Sequence, residues 1–310
     1  MPSSPAAVGA WASSRRSCWP TGAKVVVNDL PGSDADPAGS VVAQIADLGG
    51  TAVAVRCSVG SFDGGKQIVE AALDTYGGLD ILVNSAGTYS MGPVDALSED
   101  DWDRVIDVNL KGTFATTRRA VTIFQKQGSG SIINLSSDAG LGDYFSGVYS
   151  ASKEGVVGLT RAVAREYGRW GVRCNAIRPR AFDTGMADAG SWGRQHHFDE
   201  TYGRPMTGTH RYTPRTGTGD EVAAVVAWLC TDEAAHVNGR VIQAGCGEIG
   251  LWSESTVVRS SYRSEGLDLA YVTDVSAHIF GELDDPYATL PSDAMALVDA
   301  RIGAQKRRKL

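Results

Sequence analysis

The chain has 310 residues, 43% of them apolar, and carries 36 acidic against 29 basic side chains for a formal net charge of −7. That size and apolar content suit one large α/β domain with an appendage, and the acidic balance gives no reason to expect nucleic acid as a partner. The five cysteines (Cys18, Cys57, Cys174, Cys230 and Cys246) form no Cys-x-x-Cys pair, which speaks against a disulfide framework and a zinc site and makes a reducing cytoplasm the expected compartment. No apolar run approaches the ~20 residues of a membrane span. Arg15 and Arg16 precede no apolar signal-peptide core,, and the basic run Lys306–Lys309 reads as a solvated tail,.

In chain order, Lys24–Leu30 is a short β-branched run stopped by Pro31-Gly32 and reads as a buried parallel strand,. Val41–Leu48 has helical spacing and stops at Gly49-Gly50,. A strand over Thr51–Val55, a helix over Gln67–Tyr76 and a strand over Asp80–Asn84 follow. Trp102–Phe124 reads as one long helix, Ser131–Ser136 as a strand, Tyr149–Tyr167 as a helix, and Val172–Ile177 as a strand stopped by Pro179. Asp220–Leu229 and Arg240–Ala244 are expected as the last helix and strand of the alternation. Strands alternating with helices imply right-handed crossovers and a parallel sheet covered on both faces, with ligands bound beyond the carboxyl ends of the strands. Residues 187–218 break the pattern and read as a lid, in which Trp192, His196, His197, Phe198 and Tyr202 either line a pocket or pack the lid down. Residues 248–310 are weakly patterned, with a short helix expected over Ser292–Arg301.

Tyr149 and Lys153 are four residues apart and share one helix face,. A phenol titrates near pH ~10, too high for acid–base work at neutrality. A neighbouring ammonium favours the phenolate and lowers that value, so the pair can exchange a proton with a carbonyl or alcohol oxygen. Tyr-x-x-x-Lys alone is common, and the weight comes from its surroundings. A strand ends in Ser136-Ser137, where a hydroxyl can meet the same oxygen or merely shape a turn. Asn109 stands mid-helix, against its propensity, which points to a buried polar task or to packing. Asn84-Ser85-Ala86-Gly87 follows a strand with small residues that let a flat ligand approach the backbone. Asp29 closes another strand, where a carboxylate can bind two ribose hydroxyls or simply cap a loop.

Taken with GAKVVVNDL, LDILVNSAG, DVNLKGTF, IINLSS, YSASK, VRCNAIRP and DEVAAVVAWL, these residues make the chain resemble the short-chain dehydrogenase/reductase family from about Gly22 to Gly247. The resemblance implies a Rossmann-like, doubly wound parallel sheet in a three-layer α/β/α domain. The divisions expected are an aberrant segment 1–21, a catalytic domain 22–247 and a C-terminal extension 248–310. It implies hydride transfer between NAD(H) and a secondary alcohol or ketone, with NADP less favoured because of Asp29. Tyr149 would be the acid/base; Lys153 would lower its pKa and bind the nicotinamide ribose. Ser137 would orient the carbonyl, and Asn109 would hold a water relaying protons through Lys153. Asn84, Ala86 and Gly87 would lie beside the adenosine ribose, and Thr184 near the nicotinamide amide. The Ser-x-x-Gly register and the distance from Asn109 favour Ser137; the distance to Tyr149 favours Ser136; Ser137 is chosen. A small-molecule substrate and a homodimer or homotetramer are implied, packed through the Tyr149 helix with Ser150, Ala151, Ser152 and Gly155 allowing close approach. Val222–Cys246 looks like the hydroxyacyl-CoA dehydrogenase branch, so a 3-oxoacyl or 3-hydroxyacyl thioester is the alternative substrate.

Four departures stand against this pattern. Cys57-Ser58-Val59 lacks the family's acidic residue near the adenine; Arg180 replaces a glycine after Pro179, where it would either clash or bind an anionic group; and about sixty residues follow Gly247. The largest is the missing Thr-Gly-x-x-x-Gly-x-Gly loop, whose amides hold a pyrophosphate. Ser4–Pro20 has Gly9 as its single glycine and reads as a poor buried strand and a poor phosphate loop. As written, the chain admits a third reading, a non-catalytic protein of the same fold impaired in cofactor binding. A shift of reading frame accounts for the loss. Starting at the third base of the Ser4 codon, the degenerate codons permit Thr, Gly, Gly, Ser, Arg, Gly, Val, Gly, and the last glycine is forced by Trp11-Ala12. Resequencing the coding DNA across codons 4 to 21 is expected to reveal the shift; an in-frame gene identical to the present reading ends the idea.

Overall fold

The computed structural model describes residues 6–9, 22–30, 36–142, 146–180 and 217–280. The first strand, β1 (Ala6–Gly9), is followed by β2 (Lys24–Asn28), α1 (Pro37–Asp47), β3 (Thr51–Val55), α2 (Phe62–Tyr76) and β4 (Ile81–Asn84). Then come α3 (Glu99–Ile106), a π-turn (Asp107–Lys111), α4 (Gly112–Gln127), β5 (Gly130–Leu135) and α5 (Gly147–Tyr167). The described part closes with β6 (Val172–Pro179), α6 (Gly219–Leu229), β7 (Val241–Gly245), β8 (Glu248–Leu251) and α7 (Leu269–Phe280).

The strands form one sheet in the order β3-β2-β1-β4-β5-β6-β7-β8. All neighbours pair parallel except β7 and β8, which are antiparallel. Alternation along the central strands sorts the helices. Val26, Leu82, Ile132 and Cys174 face Ile68 of α2, Phe124 of α4 and Val163 of α5. Ile81, Val83, Ile133 and Ile177 face Val222, Val226 and Leu229 of α6, and Val25 and Val27 face α1. The result is a three-layer, doubly wound α/β fold. From β1 the chain winds outward to β2 and β3, then from β4 in the opposite direction, so the crevice at the carboxyl ends of β1 and β4 is the topological switch point where such sheets bind ligands.

Three sequence expectations are corrected. Ser4–Pro20 reads as a poor strand, yet Ala6–Gly9 pairs with both β2 and β4 at the centre of the sheet; a four-residue stretch of small apolar residues suffices there. The boundaries at 21/22 and 247/248 therefore both cross the sheet, because β1 and β8 belong to it. The helix expected over 102–124 begins at Glu99, capped by Ser98 and Asp101 in a reciprocal box,, and is interrupted by the π-turn. β8 and α7 have no counterpart in the expectations. The helix over Ser292–Arg301 and the lid over 187–218, apart from its last two residues, lie outside the described residues. Among the described residues no helix is long and apolar enough to cross a membrane.

Candidate active site

The centre of the site is the first two turns of α5. Lys153 is 3% exposed, and its Nζ donates to the Leu135 carbonyl at the end of β5 at 2.7 Å. In return the Ser136 hydroxyl donates to the Lys153 carbonyl at 2.8 Å. Burial pushes the Lys153 ammonium down to about 8, since a low-dielectric surrounding disfavours the charged form; at neutrality it still carries its proton. Its Nζ lies 5.7 Å from the centroid of the half-buried Tyr149 ring, so the cation faces the phenol one helical turn away, as the spacing requires.

The two candidate serines are separated by their bonds. Ser136 is buried, with its hydroxyl on Lys153 and its N–H on Ile177 at 2.7 Å. Ser137 is half-buried and caps the short turn Asp138–Leu141. Its Oγ accepts from the Ala139 N–H at 3.2 Å and lies 3.4 Å from Asp138 Oδ1. That turn is pinned to α5 by Ser150, whose hydroxyl donates to the Ala139 carbonyl at 2.6 Å. Ser137, Tyr149 and Lys153 are thus gathered by the same stretch of α5, with Ser136 spent on the frame.

Asn109 is fully buried at the π-turn. Its Oδ1 accepts from the Thr88 N–H at 2.8 Å, and its Nδ2 donates to the Thr88 carbonyl and the Ser152 hydroxyl, both at 2.9 Å. Both amide hydrogens are used, so the side chain holds the strand-end segment at Thr88 against α5. For a water relay toward Lys153, the role expected of Asn109, the residue offers acceptors only: its Oδ1 and its backbone carbonyl, which accepts from the Thr113 hydroxyl at 2.7 Å. Ser150 and Ser152, read from sequence as small residues for subunit packing, are buried hydrogen-bonding pins of their own domain, and a Cβ on Gly155 would stand 2.8 Å from Leu110. Within that stripe Ala151 is exposed.

A cleft opens at the switch point, lined by Asn28, Val59, Asn84, Ser85, Ala86, Gly112 and Thr113 among others. Asp29 follows β2 beside it and accepts from the Leu30 N–H at 2.8 Å. The Asn84 side chain is turned into the core. Its Nδ2 donates to Asn134 at 2.8 Å and Thr117 at 3.2 Å, and its Oδ1 accepts from Thr116 at 2.6 Å. What that segment offers a ligand is therefore its backbone and the small residues Ser85, Ala86 and Gly87. Beside these small and polar groups stand Val59, Ile68, Leu82, Val83 and Val108, so the cleft has apolar walls with a few polar groups, and an acid stands at the end of the adjoining strand. Segment 10–21, where a phosphate loop would lie, and Thr184 are outside the described residues. Arg180 neither clashes nor is left for an anion. Its Nη1 pairs with Glu248 at 3.0 Å, which draws the guanidinium toward the β7–β8 hairpin. Sequence reasoning missed Asn28, Thr88, Asn134 and the pinning serines, because a buried amide or hydroxyl carries no pattern that separates it from a surface one. Among the described residues no cluster of His, Cys, Asp or Glu could hold a metal.

Comparison with known proteins places this geometry in company. A family model described as enoyl-(acyl carrier protein) reductase matches residues 10–248. A 3-oxoacyl-[acyl-carrier-protein] reductase of Synechocystis sp. is 36% identical over 233 residues, 74% of this chain and 88% of that protein. A 3beta-hydroxysteroid dehydrogenase of Eggerthella lenta is 38% identical over 215 residues, 68% of this chain and 78% of its own. A solved short chain dehydrogenase from Mycobacterium avium superposes with a TM-score of 0.74 at 32% identity, covering 91% of this chain and 97% of its own.

The buried ammonium sets an expectation independent of any substrate. Its folded-state value of about 8 lies below the ordinary 10.5. Between those values the unfolded chain holds a proton that the folded chain does not, so the cost of this group is greatest below pH 8 and fades as pH rises toward 10.5,. Lys153→Met should therefore raise the unfolding free energy at pH 7 by about 1–2 kcal/mol, net of the lost hydrogen bond. Urea unfolding at neutral and alkaline pH reads this: the gain shrinks above pH 8, and a variant less stable than its parent at pH 7 overturns the account.

Proposed function

The chain belongs to the short-chain dehydrogenase/reductase family, and on that footing we propose that it exchanges a hydride between NAD(H) and a secondary alcohol or ketone, with Tyr149 as acid/base. It is an oxidoreductase of the NAD(P)-dependent kind. The observation that carries the assignment is the buried Lys153 ammonium facing the Tyr149 ring at 5.7 Å, beside a serine whose hydroxyl is not consumed by the helix.

In reduction, Tyr149 gives its phenolic proton to the carbonyl oxygen, and Ser137 donates a hydrogen bond to the same oxygen as charge gathers on it. The phenolate left behind is stabilised by Lys153, whose charge is held in place by the Leu135 carbonyl,. In oxidation the phenolate takes the alcohol proton. The nicotinamide, when bound, supplies or accepts the hydride. Asn28, Ser85, Ala86, Gly87, Gly112 and Thr113 would hold the nucleotide, and Asp29 supports NAD over NADP because a carboxylate accepts two ribose hydroxyls and repels a 2′-phosphate. A homodimer or homotetramer is supported by the exposed Phe62 and Phe114, whose rings stand 5.7 Å apart on α2 and α4. The catalytic domain is assigned to 22–247 together with β1 and β8, which belong to its sheet.

A second reading, a 3-oxoacyl or 3-hydroxyacyl thioester as substrate, is favoured by the likeness to the 3-oxoacyl-[acyl-carrier-protein] reductase. Assays with NAD against secondary alcohols and 3-hydroxyacyl thioesters separate the two, and fluorescence titration with NADH separates both from a non-catalytic protein. Tyr149→Phe should lower turnover by at least about a thousandfold with NADH affinity unchanged. Ser137→Ala should cost about a hundredfold, whereas Ser136→Ala should cost mainly stability, about 1 kcal/mol. Turnover that survives Tyr149→Phe refutes the mechanism.

A further inference from the structure

The chain after β7 does more than trail from the domain. Arg178, near the end of β6, has a side chain only 4% exposed. Its Nη2 donates to Glu154 Oε2 at 2.8 Å, while its Nε and Nη1 have no hydrogen-bond partner. What covers the guanidinium is the ring of Trp252, 4.8 Å from its Cζ. A desolvated guanidinium on an indole face is held by the ring quadrupole. Trp252 is itself fixed: its backbone N–H donates to the Val241 carbonyl at 3.0 Å, and it packs against Val157, Ala176 and Val241. Two residues on, Glu254 pairs with Arg161 of α5 at 2.9 Å and with Arg240 at 3.4 Å.

Glu154 follows Lys153 directly. Its Oε2 lies 3.1 Å from where a Cβ on Gly140 would stand, so it also backs the turn that Ser137 caps. A line of contacts thus runs from the extension through Arg178 and Glu154 to the serine turn and to the helical turn carrying Lys153. The Glu154 side chain is 44% exposed, and one hydrogen bond to an accessible carboxylate would not hold a buried cation alone. The indole completes its enclosure. The match to the Mycobacterium avium structure covers 91% of this chain, more than residues 1–247 can supply, so that protein shares part of the extension.

We propose that Trp252 is a positioning residue of the active site, acting through Arg178 and Glu154 to fix Lys153 and the Ser137 turn. This rests on the reading of Ser137, Tyr149 and Lys153 as the reacting groups. Losing the ring lets water reach Arg178, frees the guanidinium to leave Glu154, and loosens the serine turn and the start of α5 while the far side of the sheet is untouched.

The test uses the full chain with Trp252→Ala, Trp252→Phe and, as control, Trp102→Ala at an exposed position of α3. Hydrogen-exchange mass spectrometry should show peptides 136–142 and 147–156 exchanging at least about fivefold faster in Trp252→Ala, with 24–28 and 62–76 unchanged. Trp252→Phe, which keeps a ring face, should exchange like the parent, as should the control. With the substrate found by the alcohol and thioester panel, Trp252→Ala should lose about tenfold in kcat with KM for NAD within about twofold. Equal acceleration of all peptides, no acceleration at those two, or a Trp252→Phe variant as impaired as Trp252→Ala overturns the proposal. Absence of turnover in the parent defeats the functional reading instead, and the exchange pattern still decides whether Trp252 braces this part of the fold.

Discussion

The structure turns on one buried ammonium. Lys153 has a single backbone carbonyl for its charge, in a place where burial alone disfavours the cation. Such a group is a cost that the fold carries, and on the proposed function it is kept because a phenol that exchanges protons needs a neighbouring cation that neither moves nor hydrates. The strand-end serine and the helix carbonyl that it bonds complete the arrangement: the side chain of Lys153 reaches β5, and β5 reaches back to the backbone of the same residue. The orientation of α5 on the sheet, and hence of Tyr149, follows from these two bonds more than from apolar packing, which would tolerate small rotations of the helix.

A second set of buried polar groups ties the central strands to the helices on one face. Asn84 bonds Asn134, which donates to Thr160 of α5 at 2.9 Å, while Thr116 of α4 reaches Asn84. The chain of bonds crosses from β4 through β5 to the helices on one face. Each member is satisfied inside an otherwise apolar core, and such networks fix a single register because any slip strands a buried amide. Asn109 extends the principle to the segment after β4: the π-turn presents its amide to Thr88 and Ser152 together, consistent with the tendency of π-bulges to occur at functional positions.

The parts of this fold legible in the sequence were those governed by periodicity. Val25–Val27 and Ile132–Leu135 announce strands buried on both faces, and Tyr149 with Lys153 announces a shared helix face. The site was legible where spacing fixes geometry, as in the Lys153 ammonium that faces the Tyr149 ring. It was not legible where a side chain serves the frame: nothing in the sequence shows that Asn84, at the cleft, spends its amide on Asn134, Thr116 and Thr117, since tertiary contacts alone decide. Arg180 reads as an intruder at the site until Glu248, 68 residues on, is seen to hold it. The extension was illegible for the same reason. Trp252 and Glu254 gain meaning from Arg178, Arg161 and Arg240, and β8 is too short and too exposed to show a strand pattern.

The N-terminal segment poses the sharpest conflict between levels. β1 sits between β2 and β4 and runs parallel to both, and residues 10–21 after it lie outside the described residues. As written that stretch holds Trp19-Pro20, and proline disfavours a helix interior. The genetic code sharpens the point. In the frame that forces glycine at Trp11-Ala12, the bases of Cys18-Trp19-Pro20 must read leucine and then alanine, whatever codons are used, and the proline disappears. Leucine and alanine are strong helix formers, so the shifted frame supplies the glycine that a phosphate loop requires and removes a helix breaker after it. The same displacement rewrites the codons of Ala6–Gly9 as part of that glycine loop, so the strand at the centre of the sheet and the phosphate loop are alternative readings of one stretch of DNA.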